Sequence, residues 1–185
     1  NLGLKTLLDI CGVQSQPNVY HIGYLLGPRI NAGGRVGKSS HGANLLISKN
    51  PKDVFKLASE LDIFNNERQL LEKEVLEKIL AVIGNKVHDP VIIVDGKNWH
   101  EGVIGIVASR IKDKFNKPVI IISNNENGIG KASARSIFGF DIGSAIISAT
   151  QEKILVKGGG HKMAGGFSIK IENIEKFKNF IFKKY

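Results

Sequence analysis

Residues 89–122 read DPVIIVDGKNWHEGVIGIVASRIKDKFNKPVIII, and this stretch decides the fold. Val91–Val94 and Val119–Ile122 are short, unbroken apolar runs, the pattern of strands covered on both faces. Between them, Gly102 to Phe115 carries Val103, Ile106, Val107, Ile111 and Phe115 along one side of a helix. Pro118 opens the second strand. Strand, helix and strand in that order, with buried strands, predict an α/β arrangement in which the helix crosses over one face of the sheet.

Working outward toward the C-terminus, the alternation continues. Gly128–Gly130 is a turn, and a strand follows near Lys131–Ser136. Phe140–Ala149 reads as a helix led by Asp141 as cap, Gly166–Ile171 as an alternating strand, and Ile174–Phe182 as a closing amphipathic helix. The expected C-terminal α/β domain, residues 88–185, therefore has a central mixed sheet flanked by helices.

Working outward toward the N-terminus, residues 51–83 are strongly helical. Asn50 is a good cap, Pro51 suits the first helical position and Asp53 puts negative charge in the first turn. Val54, Leu57, Leu61, Phe64, Leu71, Val75, Ile79 and Val82 form an apolar stripe, Glu74 and Lys78 a favourable pair, and Gly84-Asn85 the stop. Unbroken, such a helix is about 50 Å long at ~1.5 Å per residue. It reads as a strut, as two helices bent near Asp62–Asn66, or as one side of a bundle. Residues 1–50 read as Gly-rich and irregular, with a short helix near Leu4–Ile10 and another near Ala43–Ile47.

Composition limits the function classes. The formal net charge of +9 favours polyanionic partners, because neutralised phosphates release condensed counterions. No apolar run approaches the ~20 residues of a membrane-spanning helix, so no membrane partner is expected. The opening NLGLKTLLDICGV has neither a signal-peptide pattern nor an initiating Met, and the chain is expected to be part of a longer one. A single cysteine, Cys11, excludes an internal disulfide, and the expected location is cytoplasmic.

Four clusters carry candidate chemistry. Pro28–Arg35, PRINAGGR, sets Arg29, Asn31 and Arg35 around a Gly pair, either a phosphate-contacting segment or a surface turn. Asn98–Arg110, NWHEGVIGIVASR, opens a helix after a buried strand, where amide donors attract anions. His100 stands at that entrance beside Trp99, whose ring either stacks on a base or caps the core. Gly102 and Gly105 permit close contact between helix and sheet. Gly130–Ser136, GKASARS, alternates so that Ser133 and Arg135 share a face, with Ser136 next in line: a terminal-phosphate pocket, or polar residues on an edge strand. Lys157–Gly166, KGGGHKMAGG, sets Gly158, Gly159 and Gly160 before His161, an anion-binding nest reinforced by a following helix, or a flexible turn. The five histidines are scattered, and no metal site assembles from them.

In this order, PRINAGGR, WHEGVIGIVASR, SARS and GGGH resemble the C-terminal half of the RecJ family in the DHH phosphoesterase superfamily. The resemblance implies single-stranded-DNA-specific 5′→3′ exonuclease activity in recombination and repair. On it, residues 1–50 are the end of a truncated α/β DHH catalytic domain, 51–87 a connector helix and 88–185 the DHH-associated domain. It implies that Arg29, Asn31 and Arg35 line the catalytic cleft, that Ser133, Arg135 and Ser136 hold the 5′ phosphate, and that Gly158–Gly160 and His161 form the phosphate-gripping loop; His100 at the helix entrance is a further phosphate-binding candidate. Mn or Mg would be bound by the absent DHH domain and none by this chain, which alone is expected to be inactive. Single-stranded DNA is the implied partner, with repair proteins such as single-strand-binding protein besides. Ala132 and Gly165 depart from the family's usual Gly and Ala. The alternatives are a short-oligonucleotide or cyclic-dinucleotide phosphodiesterase of the same superfamily, and a non-catalytic single-strand-binding module.

Overall fold

The computed structural model describes all residues, 1–185. They divide into two units, Asn1–Leu71 and Glu72–Tyr185.

The first unit is helical: α1 (Leu2–Ile10), a π-helical turn (His21–Leu26) running into α2 (Gly27–Val36), α3 (His41–Ile47) and the first part of α4 (Pro51–Ile83). Leu7, Leu26, Leu45, Val54, Ala58 and Leu61 are its buried core. This corrects the irregular structure expected for residues 1–50. Several glycines there lie at helix contacts and not in loops: a β-carbon on Gly42 would come within 2.9 Å of the Ile30 carbonyl oxygen. Burial pushes the Cys11 thiol up from its ordinary pKa, which suits an inert packing residue.

α4 is one helix by its hydrogen bonding, with no break at Asp62–Asn66, and it contributes residues to both units. Val54, Ala58 and Leu61 are buried in the first, and Val75, Ile79 and Ile83 in the second. The stripe ends on Ile83, whereas Val82 is exposed, because the inward face advances by four residues from Ile79. The Asn50 side chain accepts from the Lys52 amide, as a cap does.

The second unit is built on five strands, β1 (Ile92–Lys97), β2 (Val119–Asn124), β3 (Ile129–Arg135), β4 (Lys157–His161) and β5 (Ala164–Lys170), in the order β1-β2-β3-β5-β4. The β1–β2 pair is parallel and the others antiparallel, a mixed sheet. α5 (Glu101–Phe115) joins β1 to β2 and packs on β2 and β3. α6 (Ile142–Gln151) packs on β4 and β5, and α7 (Ile174–Lys184) packs on α6. The core between the sheet and these last two helices includes Ile120, Ile122, Phe167, Ile146, Phe177 and Ile181.

Two local readings change. The helix expected from Phe140 begins at Ile142, capped by Asp141, whose carboxylate accepts from the Ser144 amide at 2.9 Å. Phe140 is instead packed edge-on to Tyr185. The glycine run Gly158–Gly160 is neither a nest nor a flexible turn. It is the sheet's outer strand, β4, and it leads into a tight hairpin with β5, with no helix after it.

Candidate nucleic-acid interface

Side chains alternate along a strand, so register decides which groups share a face. Ser133 pairs with Gly166, Lys131 with Ser168 and Arg135 with Ala164 across β3–β5. Those β5 residues pair in turn with Gly159, Lys157 and His161 of β4. Lys131, Ser133, Arg135, Lys157, Gly159 and His161 therefore lie on one face of the sheet. Gly158 and Gly160 belong to the other face, where a β-carbon on Gly158 would meet Ile146 of α6.

α5 covers this face over β2 and β3, but the β5–β4 half is left open. The result is a groove of about 520 Å³ whose lining includes Glu101 and Ile104 of α5, Lys131 and Ser133 of β3, Lys157 of β4 and Gly166 of β5. Lys157 and His161 are exposed, and Gly166 forms a floor with no side chain. Cationic groups from two strands thus flank a groove with one carboxylate, Glu101, at its wall.

Arg135 is the best-fixed cation of the face. Its Nε donates to the Ser109 hydroxyl at 3.2 Å, and its Nη1 donates to the Ser133 hydroxyl at 3.2 Å and to the Ala134 carbonyl at 2.8 Å. Ser109 in turn donates to the Gly105 carbonyl one helical turn back. A β-carbon on Gly105 would stand 2.9 Å from both Arg135 Nη2 and Ser133 Oγ, so a larger residue there would displace these two side-chain ends. Sequence reasoning found Gly105 as a point of close contact and missed Ser109. A serine inside an apolar helix gives no local sign that it braces an arginine on a neighbouring strand.

Other candidates are placed differently. Ser136 is buried, its hydroxyl donates to the Phe140 carbonyl at 2.7 Å, and it leaves the phosphate-holding set for a structural one. His100 does stand at the start of α5, exposed, but its Nδ1 accepts from the Gly102 amide at 3.1 Å. One of the amides expected to serve an anion is thereby capped by the imidazole. Trp99 is buried and lies against Gly96, so it caps the core and offers no ring for base stacking.

In the first unit, PRINAGGR is α2 and not a turn. At about 100° per residue, Asn31 and Arg35 lie close together on the helix surface, and Arg29 faces elsewhere. Arg29 Nε donates to Asp62 at 2.8 Å and its Nη1 to the Leu25 carbonyl at 3.0 Å. The structure therefore does not make Arg29 and Arg35 two jaws of one clamp. No three of the chain's His, Cys, Asp or Glu residues come together as a set able to hold a metal ion. Nor is any helix long and apolar enough to cross a membrane.

Residues 88–185 match the DHHA1 domain family. The single-stranded-DNA-specific exonuclease RecJ of Bacillus subtilis is 35% identical over 181 residues, covering 96% of this chain and 23% of that protein. RecJ of Salmonella typhimurium is 35% identical over 184 residues, covering 95% of this chain and 32% of that protein. The crystal structure of RecJ in complex with Mg2+ from Thermus thermophilus superposes with a TM-score of 0.85 at 30% identity, over 98% of this chain and 28% of that one. The chain thus spans between about a quarter and a third of the length of these relatives.

Proposed function

We propose, from the premise that this chain belongs to the DHHA1 domain family, that it is the strand-holding portion of a RecJ-like enzyme. That enzyme would be a single-stranded-DNA-specific 5′→3′ exonuclease of recombination and repair, working in the cytoplasm beside partners such as single-strand-binding protein. The family match and the likeness to RecJ along nearly the whole chain support the class. One observation carries the local reading: Lys131, Ser133 and Arg135 of β3, at the border of the half that α5 covers, share one sheet face with Lys157 and His161 of the open half.

Ser133 and Arg135 receive the 5′-terminal phosphate in this reading, through a hydroxyl and a planar fork of donors already held in position. Lys157 and His161 meet the next phosphates. Gly159 and Gly166 leave the sheet surface bare, so the strand's backbone lies close to it. Residues 1–50 are the end of the catalytic domain, 51–87 the connector and 88–185 the DHH-associated domain. Asn31 and Arg35 border the catalytic cleft, and Arg29 acts through Asp62 to position α2. Phosphodiester hydrolysis in such an enzyme would use Mn or Mg, for which the residues of this chain form no fitting site.

The test is fluorescence anisotropy of the chain with a 5′-phosphorylated single strand, the same strand ending in 5′-hydroxyl, and a blunt duplex. Preference for the phosphorylated single strand is expected, and Arg135→Ala should remove the phosphate preference. Equal binding of all three ligands, or an unaltered preference in Arg135→Ala, would reject the assignment.

A further inference from the structure

The turn between β3 and α6 holds an apolar side chain out in water. Phe138 is 98% exposed, more than any other large hydrophobic residue of the chain. The turn that carries it is braced. The Ser136 amide donates to the Met163 carbonyl at 2.8 Å and the Ile142 amide to the Lys162 carbonyl at 3.3 Å, which ties the turn to the β4–β5 hairpin at both its ends. The Ser136 hydroxyl closes onto Phe140, and Gly139 takes a φ of +100°, a conformation that favours glycine.

Single exposed hydrophobic residues are common and need no explanation by themselves. The setting of Phe138 is what distinguishes it. Phe138 and the half-exposed Met163 are walls of one recess of about 340 Å³, and Lys162 lines it as well. The recess lies just past the end of the row formed by Arg135, Ala164 and His161, which pair across β3, β5 and β4. Phe138 follows Arg135 by three positions, and Met163 follows His161 by two. Cations on one side and an aromatic ring with a thioether on the other match the two halves of a nucleotide, a charged phosphate and a flat base. Asp141 also borders the recess, and its negative charge disfavours a phosphate inside it. The base is the half that fits.

We propose that Phe138 is a base-stacking residue: the base attached to the phosphate held over Arg135 and His161 lies on its ring, with Met163 closing the recess. The inference rests on reading the open sheet face as a single-strand-binding surface. Stacking tolerates any base, because each has a π-face, and a braced turn lowers the backbone part of the ordering cost. It also discriminates against duplex, whose bases are already stacked on one another.

The test measures binding of the 185-residue chain to a 5′-phosphorylated single-stranded oligothymidylate, with a series carrying one abasic site at successive positions. Phe138→Ala should weaken binding roughly 5- to 100-fold, the scale of one lost stack, and Phe138→Tyr should retain it. One abasic position should weaken the wild type by a similar factor and leave Phe138→Ala unaffected. If the wild type binds but every abasic site weakens both proteins equally, the inference is overturned and the surface reading stands. Sedimentation showing that Phe138→Ala only converts a dimer to monomer, with binding intact, overturns it too. A wild type that binds no single strand removes the reading and the inference together.

Discussion

Arg135 on β3 is held by Ser109 on α5, Nε to Oγ at 3.2 Å. A strand residue at the edge of the groove is therefore aimed by the helix that packs over its own strand. Gly105→Ala tests this geometry. The new methyl would stand against Arg135 and Ser133, while helix propensity would gain up to about 1 kcal/mol. The expected outcome is unchanged or slightly higher thermal stability with a clear loss of affinity for 5′-phosphorylated single strand. Ser109→Ala should lower that affinity less than Arg135→Ala does. Equal affinity for Gly105→Ala and wild type would show that the aim of Arg135 is irrelevant to binding.

Salt dependence counts the phosphates that the open face neutralises. For single strands, the slope of log K against log salt is about −0.7 per phosphate contacted. Lys157→Ala and Lys131→Ala should each flatten the slope by about 0.7. Replacing Lys183, an exposed lysine of α7 outside the groove lining, should leave it alone. A slope that responds equally to all three replacements would mean diffuse attraction to a basic protein.

The sequence made the frame of the second unit legible because its strands carry strong side-chain signals. Ile92–Val94 and Val119–Ile122 are continuous apolar runs, and Ser133 and Arg135 alternate with Ala132 and Ala134. β4 was not legible, because Gly158–Gly160 have no side chains to alternate and glycine disfavours strands. Its pairing with β5 is a tertiary outcome. The same holds for the site. Alternation placed Ser133 and Arg135 on one face, but nothing local told that Ser136 turns inward to Phe140 or that Ser109 reaches Arg135. α2 was hidden by its glycines, although Pro28 in its first turn was a usable sign.

The α4–α5 contact within the second unit contains a buried charge. Glu72 of α4 is almost fully buried and pairs with Arg110 of α5, whose side chain is largely exposed. Arg110→Ala leaves that carboxylate without this partner, a loss of about 1–3 kcal/mol. Adding Glu72→Gln to that variant should recover part of the loss, because a neutral amide tolerates burial better than a carboxylate does. Denaturant unfolding of the two single variants and the double variant checks the coupling. Additive losses would mean that the pair contributes nothing as a pair.

Asp141 supplies an acid-sensitive contribution at the start of α6. The hydrogen bond from the Ser144 amide, aided by the charge of Lys162, holds its carboxyl below the ordinary aspartate pKa. A folded-state pKa lower than the unfolded one means that the charged cap stabilises the fold above the unfolded value, about 3.9. That stabilisation is lost as pH falls through the lowered folded-state pKa. Asp141→Asn keeps a side-chain oxygen able to cap the helix but removes the titration. The difference in Tm between wild type and Asp141→Asn should therefore be flat from about pH 5 to 8 and should shift against the wild type only below about pH 4. A difference that drifts steadily across the neutral range would place the titrating group elsewhere.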